Sequence, residues 1–313
     1  MPQVLLFGEP MALFTAVEEG PLAQAERFTR SLAGAEVNVA IGLRRLGHSV
    51  AYATRVGDDP LGEYIAGALE REGIGTQLLS RDPVWRTGLQ LKGRTSRGDP
   101  QTAYYRKGSA FSHLTAEDID RLPLEGVRLV HVTGIPPALS PECRGASLRL
   151  MERAREQDIF VSLDPNLRPA LWESREAMRE TIHRMARLAD LFLPGEEEAK
   201  ELSGCGTLEE MADFYHRLGP GAVIIKTGRE GAYFSAKGQS GRVPGFAVDR
   251  VVDTVGAGDG FAVGVLSAWL EGLPLPQAVC RGNAIGAMQV SVQGDNEGLP
   301  TRTELEDFLT RSR

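Results

Sequence analysis

Cysteine is scarce: Cys143, Cys205 and Cys280 are the only three in 313 residues. They are odd in number, far apart and without a CxxC pair, which argues against a disulfide framework and a structural zinc site. Thiols used this way suit a reducing compartment. A basic surplus is also missing, with Lys and Arg numbering 35 against 42 Asp and Glu for a net charge of −7. Nucleic acid and anionic membrane are therefore poor candidates for the main partner, because both reward a positive field. A small anionic ligand stays open, since a local cationic site can sit on an acidic protein. No uninterrupted apolar run is long enough to cross a bilayer. The start, Met1-Pro2-Gln3-Val4, lacks the basic segment and apolar core of a secretory signal. A soluble cytoplasmic protein is expected. Several chemical signatures are absent too: there is no GxxxxGK[ST], no GxSxG and no HExxH, and the five histidines are scattered. The glycines at 256, 258 and 260 do not complete GxGxxG, because Phe261 holds the last position.

What is present is 42 % hydrophobic sequence without a long polar tract, so wholesale disorder is excluded. No repeat or Pro/Ser/Gly-rich linker divides the chain. Short apolar runs at 4–7, 50–56, 129–132, 159–163, 191–193 and 222–225 predict buried strands. Amphipathic stretches at 36–46, 61–72, 141–156 and 208–218 predict helices between them, with further helices at 258–270 and 274–292. Such alternation predicts a parallel sheet covered by helices on both faces. Residues 11–33 and about 85–107 alternate apolar and polar side chains instead, which predicts antiparallel strands standing apart as a small lid around a turn at 96–100. One domain spanning 1–313 is expected.

The strongest chemical signal is Asp253-Thr254-Val255-Gly256-Ala257-Gly258-Asp259-Gly260-Phe261, which runs into an almost wholly apolar helix. Small residues at a helix start leave backbone N–H groups uncovered, and with the helix dipole these make an anion site. An acid there competes with a bound anion unless it has work to do. Asp259 has such work if it accepts a proton from a hydroxyl while the Gly256, Ala257 and Gly258 amides hold the phosphoryl group under attack. The plain alternative is a glycine-rich turn with Asp259 as a first-turn acid. A second signal is Ala33-Gly34-Ala35-Glu36-Val37-Asn38-Val39-Ala40. Gly34 permits close backbone approach, and the Asn38 amide, both donor and acceptor, suits sugar hydroxyls; a tight turn capped by Asn38 is the alternative.

These two segments, about 220 residues apart, resemble the paired signatures of the ribokinase-like (PfkB) carbohydrate kinases, over essentially the whole chain. Ala33 stands where a second glycine is frequent in that family. The resemblance implies a ribokinase-like three-layer α/β/α fold with a small β-lid, ATP and Mg²⁺ as cofactors, Asp259 as base and Gly256, Ala257 and Gly258 as anion hole. It implies that Glu198, in Gly195-Glu196-Glu197-Glu198, acts on the Mg²⁺ shell through water, although Gly195 replaces the usual Asn. It also implies nucleotide contacts from Asn166, Thr227, Gly228, Gly231 and Asn283. Lys226 is either part of that segment or a solvated strand end.

Three further segments, Tyr104-Tyr105-Arg106-Lys107-Gly108-Ser109-Ala110, Asp164-Pro165-Asn166-Leu167-Arg168 through Trp172, and Gly294-Asp295-Asn296-Glu297-Gly298, resemble those of the 2-keto-3-deoxygluconate kinases. A sugar acid carries a carboxylate, which guanidinium groups recognise by charge-assisted hydrogen bonds. The resemblance implies Arg106 and Arg168 as that pair, Tyr104 as a hydroxyl contact, Asp295 as acceptor of a substrate hydroxyl, and Gly34, Asn38 and Gln90 completing the pocket. Gln90 stands where such kinases can carry a tyrosine. Fructokinases share both main signatures. Leu89 and Leu91 are expected on an exposed lid edge, giving a dimer through the lid.

Overall fold

Val4 and Leu6 point into one hydrophobic cluster while Leu5 and Phe7 point into another. A strand buried on both faces produces this alternation. In the computed structural model, which describes residues 2–95, 100–236 and 238–312, the strands in chain order are β1 (Val4–Phe7), β2 (Met11–Ala16), β3 (Phe28–Ala33), β4 (Val50–Gly57), β5 (Leu79–Asp82), β6 (Leu89–Lys92), β7 (Thr102–Tyr105), β8 (Leu129–Thr133), β9 (Phe160–Asp164), β10 (Leu191–Phe192), β11 (Ala222–Lys226), β12 (Ala232–Ala236) and β13 (Gln239–Val243). The helices are α1 (Ala35–Arg45), α2 (Pro60–Arg71), α3 (Ala116–Asp120), α4 (Pro136–Leu139), α5 (Pro141–Glu156), α6 (Arg175–Ala186), α7 (Glu196–Ser203), α8 (Leu208–Leu218), α9 (Ala257–Leu270), α10 (Leu275–Val290) and α11 (Arg302–Arg311).

Nine strands form the main sheet in the order β13-β12-β11-β10-β9-β8-β1-β4-β5. Seven of them, β11 through β5, pair in parallel, and β12 and β13 add an antiparallel hairpin at one edge. Residues of α3 through α8 cover one face and residues of α1, α2, α9, α10 and α11 the other, so the three expected layers are present. Helix starts follow the local chemistry. The Asp59 carboxylate accepts from Leu61 and Gly62 N–H ahead of α2, and Thr207 and Glu210 cap each other's backbone at α8.

The lid is a separate four-stranded sheet in the order β3-β2-β6-β7. The expectation of antiparallel strands holds for its outer pairs, but the central β2–β6 pair is parallel. Parallel partners need a crossover, and residues 34–88 provide one by passing through the main sheet between the two strands. The expected edge at Leu89 and Leu91 is corrected as well: β6 is internal, and β3 and β7 are the edges. The turn expected at 96–100 falls largely on Ser96–Asp99, outside the described residues. Among the described residues no helix is long and apolar enough to cross a membrane, and no disulfide joins the three cysteines.

Candidate active site

The carboxyl ends of the parallel strands lie along one edge of the sheet, where open α/β sheets bind ligands, and those of β1, β9 and β11 open on one crevice. Glu9 follows β1, Thr133 ends β8, Asp164 ends β9, Gly195 follows β10 and Lys226 ends β11. A cavity of ≈ 490 Å³ lies between these strand ends and the lid. A neighbouring cleft of ≈ 850 Å³ has apolar walls that include Phe246, Val248, Ala287 and Val290. Lys226, Thr254 and Gly258 line both.

Two helix N-termini meet at the cavity. α1 starts after Gly34 and α9 after Gly256, whose φ of 77° puts it in the left-handed region. Any side chain at 256 collides, since a Cβ would stand 2.1 Å from the Asp295 carbonyl oxygen. One turn into α9, the Asp259 carboxylate accepts a 2.7 Å hydrogen bond from Asn38 Nδ2 of α1. The Asn38 oxygen in turn accepts from Asn296 Nδ2 at 3.1 Å. Asn38 was expected to serve sugar hydroxyls. It lines the cavity, each end of its amide holds one partner with a second N–H and a second lone pair left over, and it fixes Asp259 from a helix 221 residues away in sequence. Burial raises the Asp259 pKa to about 7, against the lowering effect of the Asn38 hydrogen bond and with help from Asp164. A carboxylate poised near neutrality is suited to take a proton.

The sugar-side residues expected from sequence do gather around the cavity, but several already have partners. Arg106 is buried, with Nε and Nη2 each 2.6 Å from Glu9 Oε2. The Ser109 hydroxyl also donates to Glu9. Arg168 is exposed at the rim and donates to the Leu167 carbonyl. Gln90 and Tyr104 pair across β6 and β7 and both line the cavity, Gln90 buried and Tyr104 55 % exposed. Asp295, expected to accept from substrate, lines the cavity and accepts from Lys92 Nζ at 3.2 Å. Lys92 also reaches Asp253 at 3.4 Å, joining lid to body. Gly34 lines the cavity at φ 143°, with the Glu9 carbonyl 2.9 Å from where a Cβ would stand.

On the other side, Gly228, Gly231 and Asn283 line the apolar cleft, with Ala257 and Gly258. Asn283 Nδ2 donates to the Val243 and Pro244 carbonyls and so anchors the cleft wall. Thr227 lines neither cavity; its N–H closes the turn onto the Gly231 carbonyl. Asn166 lines the polar cavity at a positive φ of 36°, its N–H donating to Asp164. Glu198 is not on an exposed turn. Its two oxygens accept from Leu167 and Gly195 N–H, each at 2.7 Å, while burial and then Asp164 push its pKa up. The alternative of Lys226 as a solvated strand end is wrong: Nζ donates to Asp164 Oδ2 at 2.6 Å, with the lysine side chain 16 % exposed.

Glu9, Lys92 and the role of Lys226 escaped the sequence reading. Glu9 and Lys226 carried a signal, since each is a charged residue ending or just following an apolar strand; Lys92 ends an alternating strand and carried none. Among the described residues no group of three or more His, Cys, Asp or Glu is arranged to hold a metal on its own. That donor set suits a Mg²⁺ ion held mainly by phosphates and water, with Glu198 lone pairs for its shell. The apolar cleft opening onto the α9 N-terminus likewise suits a purine with its phosphates at the amides.

The family model described as "pfkB family carbohydrate kinase" matches residues 1–302. A 2-dehydro-3-deoxygluconokinase of Bacillus subtilis (strain 168) is 48 % identical over 308 residues, 98 % of this chain and 95 % of its relative. A crystal structure of a PfkB protein from Polaromonas sp. JS666 superposes with a TM-score of 0.91 at 47 % identity, covering 98 % and 99 % of the two chains. A putative ribokinase II from E. coli, solved in complex with ATP and Mg²⁺, superposes at 0.90 with 25 % identity, covering 99 % of this chain and 100 % of the other.

Proposed function

Since the chain belongs to the pfkB family of carbohydrate kinases, we propose that it transfers the γ-phosphoryl group of ATP to the 6-hydroxyl of 2-keto-3-deoxygluconate. The observation that carries this reading is Asp259, poised near neutrality on the first turn of α9, between a polar cavity containing two arginines and an apolar cleft. The name of the 48 % identical Bacillus relative supports the sugar acid. The ATP and Mg²⁺ bound by the E. coli neighbour support the nucleotide.

Arg106 and Arg168 receive the substrate carboxylate, with Tyr104 and Gln90 beside them. With Nε and Nη2 each directed at Glu9, both Nη1 N–H groups and the second Nη2 N–H of Arg106 are left for substrate, and their orientation is set before substrate arrives. Asp259 takes the proton of the attacking hydroxyl as the new oxygen–phosphorus bond forms. The Gly256, Ala257 and Gly258 amides receive the charge that develops on the phosphoryl oxygens. Gly228, Gly231 and Asn283 shape the nucleotide cleft, Thr227 braces its turn, and Asn166 lies at the phosphate end. Glu198 would hold, through water, a Mg²⁺ ion bound with the nucleotide, which would supply positive charge to offset that of the phosphates. Lid closure excludes water, which otherwise competes as acceptor.

The lid's outer face carries Phe14, Leu89, Leu91 and Tyr105 at alternating positions, opposite the cavity-facing Gln90, Lys92 and Tyr104. We assign that face to a homodimer, formed in a reducing cytoplasm. The test of the main reading is an ADP-release assay with Mg-ATP across 2-keto-3-deoxygluconate, its galactose-derived epimer, gluconate, fructose and ribose. A hundredfold lead in kcat/KM for the keto-deoxy acids, roughly 3 kcal/mol, is the expected result. A lead for fructose or ribose overturns the carboxylate assignment and leaves the kinase chemistry standing.

A further inference from the structure

The polar cavity and the apolar cleft meet at a waist made by Lys226, Thr254 and Gly258. On the kinase reading above, the phosphoryl group crosses at this waist, and one of the three residues is a cation. Lys226 closes β11, an otherwise apolar strand, and its ammonium points at Asp164, whose side chain is 4 % exposed. Lys226 Nζ lies 3.7 Å from where a Cβ on Gly258 would stand, so the ammonium faces the start of α9.

The surrounding charge explains why a cation is needed there. Asp164, Glu198 and Asp259 all act on Lys226, and all three also line the polar cavity. Burial opposes the ammonium, yet these carboxylates overcome it and raise its pKa. A phosphate entering beside three acids is repelled unless a cation answers it. The other cations lining the cavity are Lys92, Arg106 and Arg168. Lys92 is held by Asp253 and Asp295, Arg106 by Glu9, and Arg168 lies at the exposed rim. None of these three lines the nucleotide cleft.

We infer that Lys226 is a catalytic residue, its ammonium turning from Asp164 to hydrogen-bond the phosphoryl group as it passes from nucleotide to sugar. The sugar oxygen forms its bond to phosphorus while the bond from phosphorus to the β–γ bridging oxygen breaks, and that electron pair leaves on ADP. The hydroxyl proton goes to Asp259, and Lys226 keeps its own. Asp164 holds the ammonium in place and charged between turnovers.

Lys226→Met, Lys226→Arg and the double variant Asp164→Asn/Lys226→Met test this. Calorimetric titration with Mg²⁺ compares ADP with the non-hydrolysable AMP-PNP, which carries the third phosphoryl group. For Lys226→Met the expected result is at least a tenfold loss of AMP-PNP affinity with ADP affinity within threefold of wild type. In turnover of whichever sugar the wild type prefers, kcat falls at least a hundredfold and the sugar KM changes less than threefold, with partial recovery in Lys226→Arg. The double variant, in which the carboxylate that pairs with Lys226 is neutralised as well, keeps the loss. Equal losses for ADP and AMP-PNP, or near-wild-type kcat in the double variant, reduce Lys226 to a counter-charge for Asp164 and overturn the inference. A wild type that prefers fructose overturns only the sugar assignment. A wild type that binds no nucleotide overturns the kinase reading and this inference together.

Discussion

Asp259→Asn separates the chemistry of the site from its shape. Asparagine is nearly isosteric and can accept the Asn38 hydrogen bond through its carbonyl oxygen, so the α1–α9 junction survives while the base is lost. A general base contributes about 10² to 10⁴ in rate, or roughly 3 to 5 kcal/mol of barrier. We therefore expect kcat to fall by at least a hundredfold with sugar and ATP affinity within a few-fold of wild type. In the wild type, kcat/KM rises with pH and levels off above about 7, where Asp259 becomes ionised. Stability moves in the opposite sense. The folded protein holds this proton more tightly than the unfolded chain, about 7 against 3.8. The stability this confers is full below pH 3.8 and is lost as pH rises towards 7. Asparagine is neutral throughout, so the variant should melt above wild type at pH 8, by an amount worth on the order of 1–3 kcal/mol. The difference should shrink by pH 5. Coupled ADP release and thermal melts at the two pH values make the measurement. Turnover within tenfold of wild type, or a variant less stable than wild type at pH 8, refutes the assignment of Asp259 as a buried base.

Four other substitutions probe the parts around it. Asn38→Ala removes the donor that lowers the Asp259 pKa, so the acid limb of kcat/KM should move to higher pH and kcat should fall about 10- to 100-fold. Arg106→Ala strands buried Glu9 and should cost about 3–5 kcal/mol in thermal or urea unfolding; Glu9→Gln/Arg106→Met should recover stability but not the sugar-acid KM. Gly231→Ala places a Cβ 2.1 Å from the Val243 carbonyl at φ 104°, so unfolding should reveal a loss of more than about 3 kcal/mol and titration a weaker nucleotide. Tyr105→Glu, on the outer lid face at 61 % exposure, should convert a dimer to a monomer in sedimentation velocity with little loss of melting temperature.

The scaffold was legible because its determinants are local. Parallel strands buried on both faces show up as apolar runs, and α5 and α8 fall within the residues their amphipathic patterns predict. The β2–β6 pairing was not legible as parallel, because relative strand direction depends on the 55-residue excursion through the main sheet. The β12–β13 hairpin also went unread. Its second strand, Gln239-Ser240-Gly241-Arg242-Val243, is polar and sits at the sheet edge, so it leaves little apolar signature.

The site divides along the same line. Asp259 and the glycines before it were readable because a helix start and its small residues are contiguous in sequence. The charge partners were not: Glu9 and Arg106 are 97 residues apart, Asp164 and Lys226 are 62 apart, and Lys92 and Asp295 are 203 apart. The acidic composition leaves a small anionic ligand open without saying where it sits, and these pairs show what that acidity does. Glu9 and Asp164 each pair with one cation at the crevice, which fixes Arg106 and Lys226 in place before any ligand arrives. The incoming carboxylate and phosphoryl group then meet oriented donors. An acidic chain can thus serve two anionic ligands, because its carboxylates anchor the cations those ligands need.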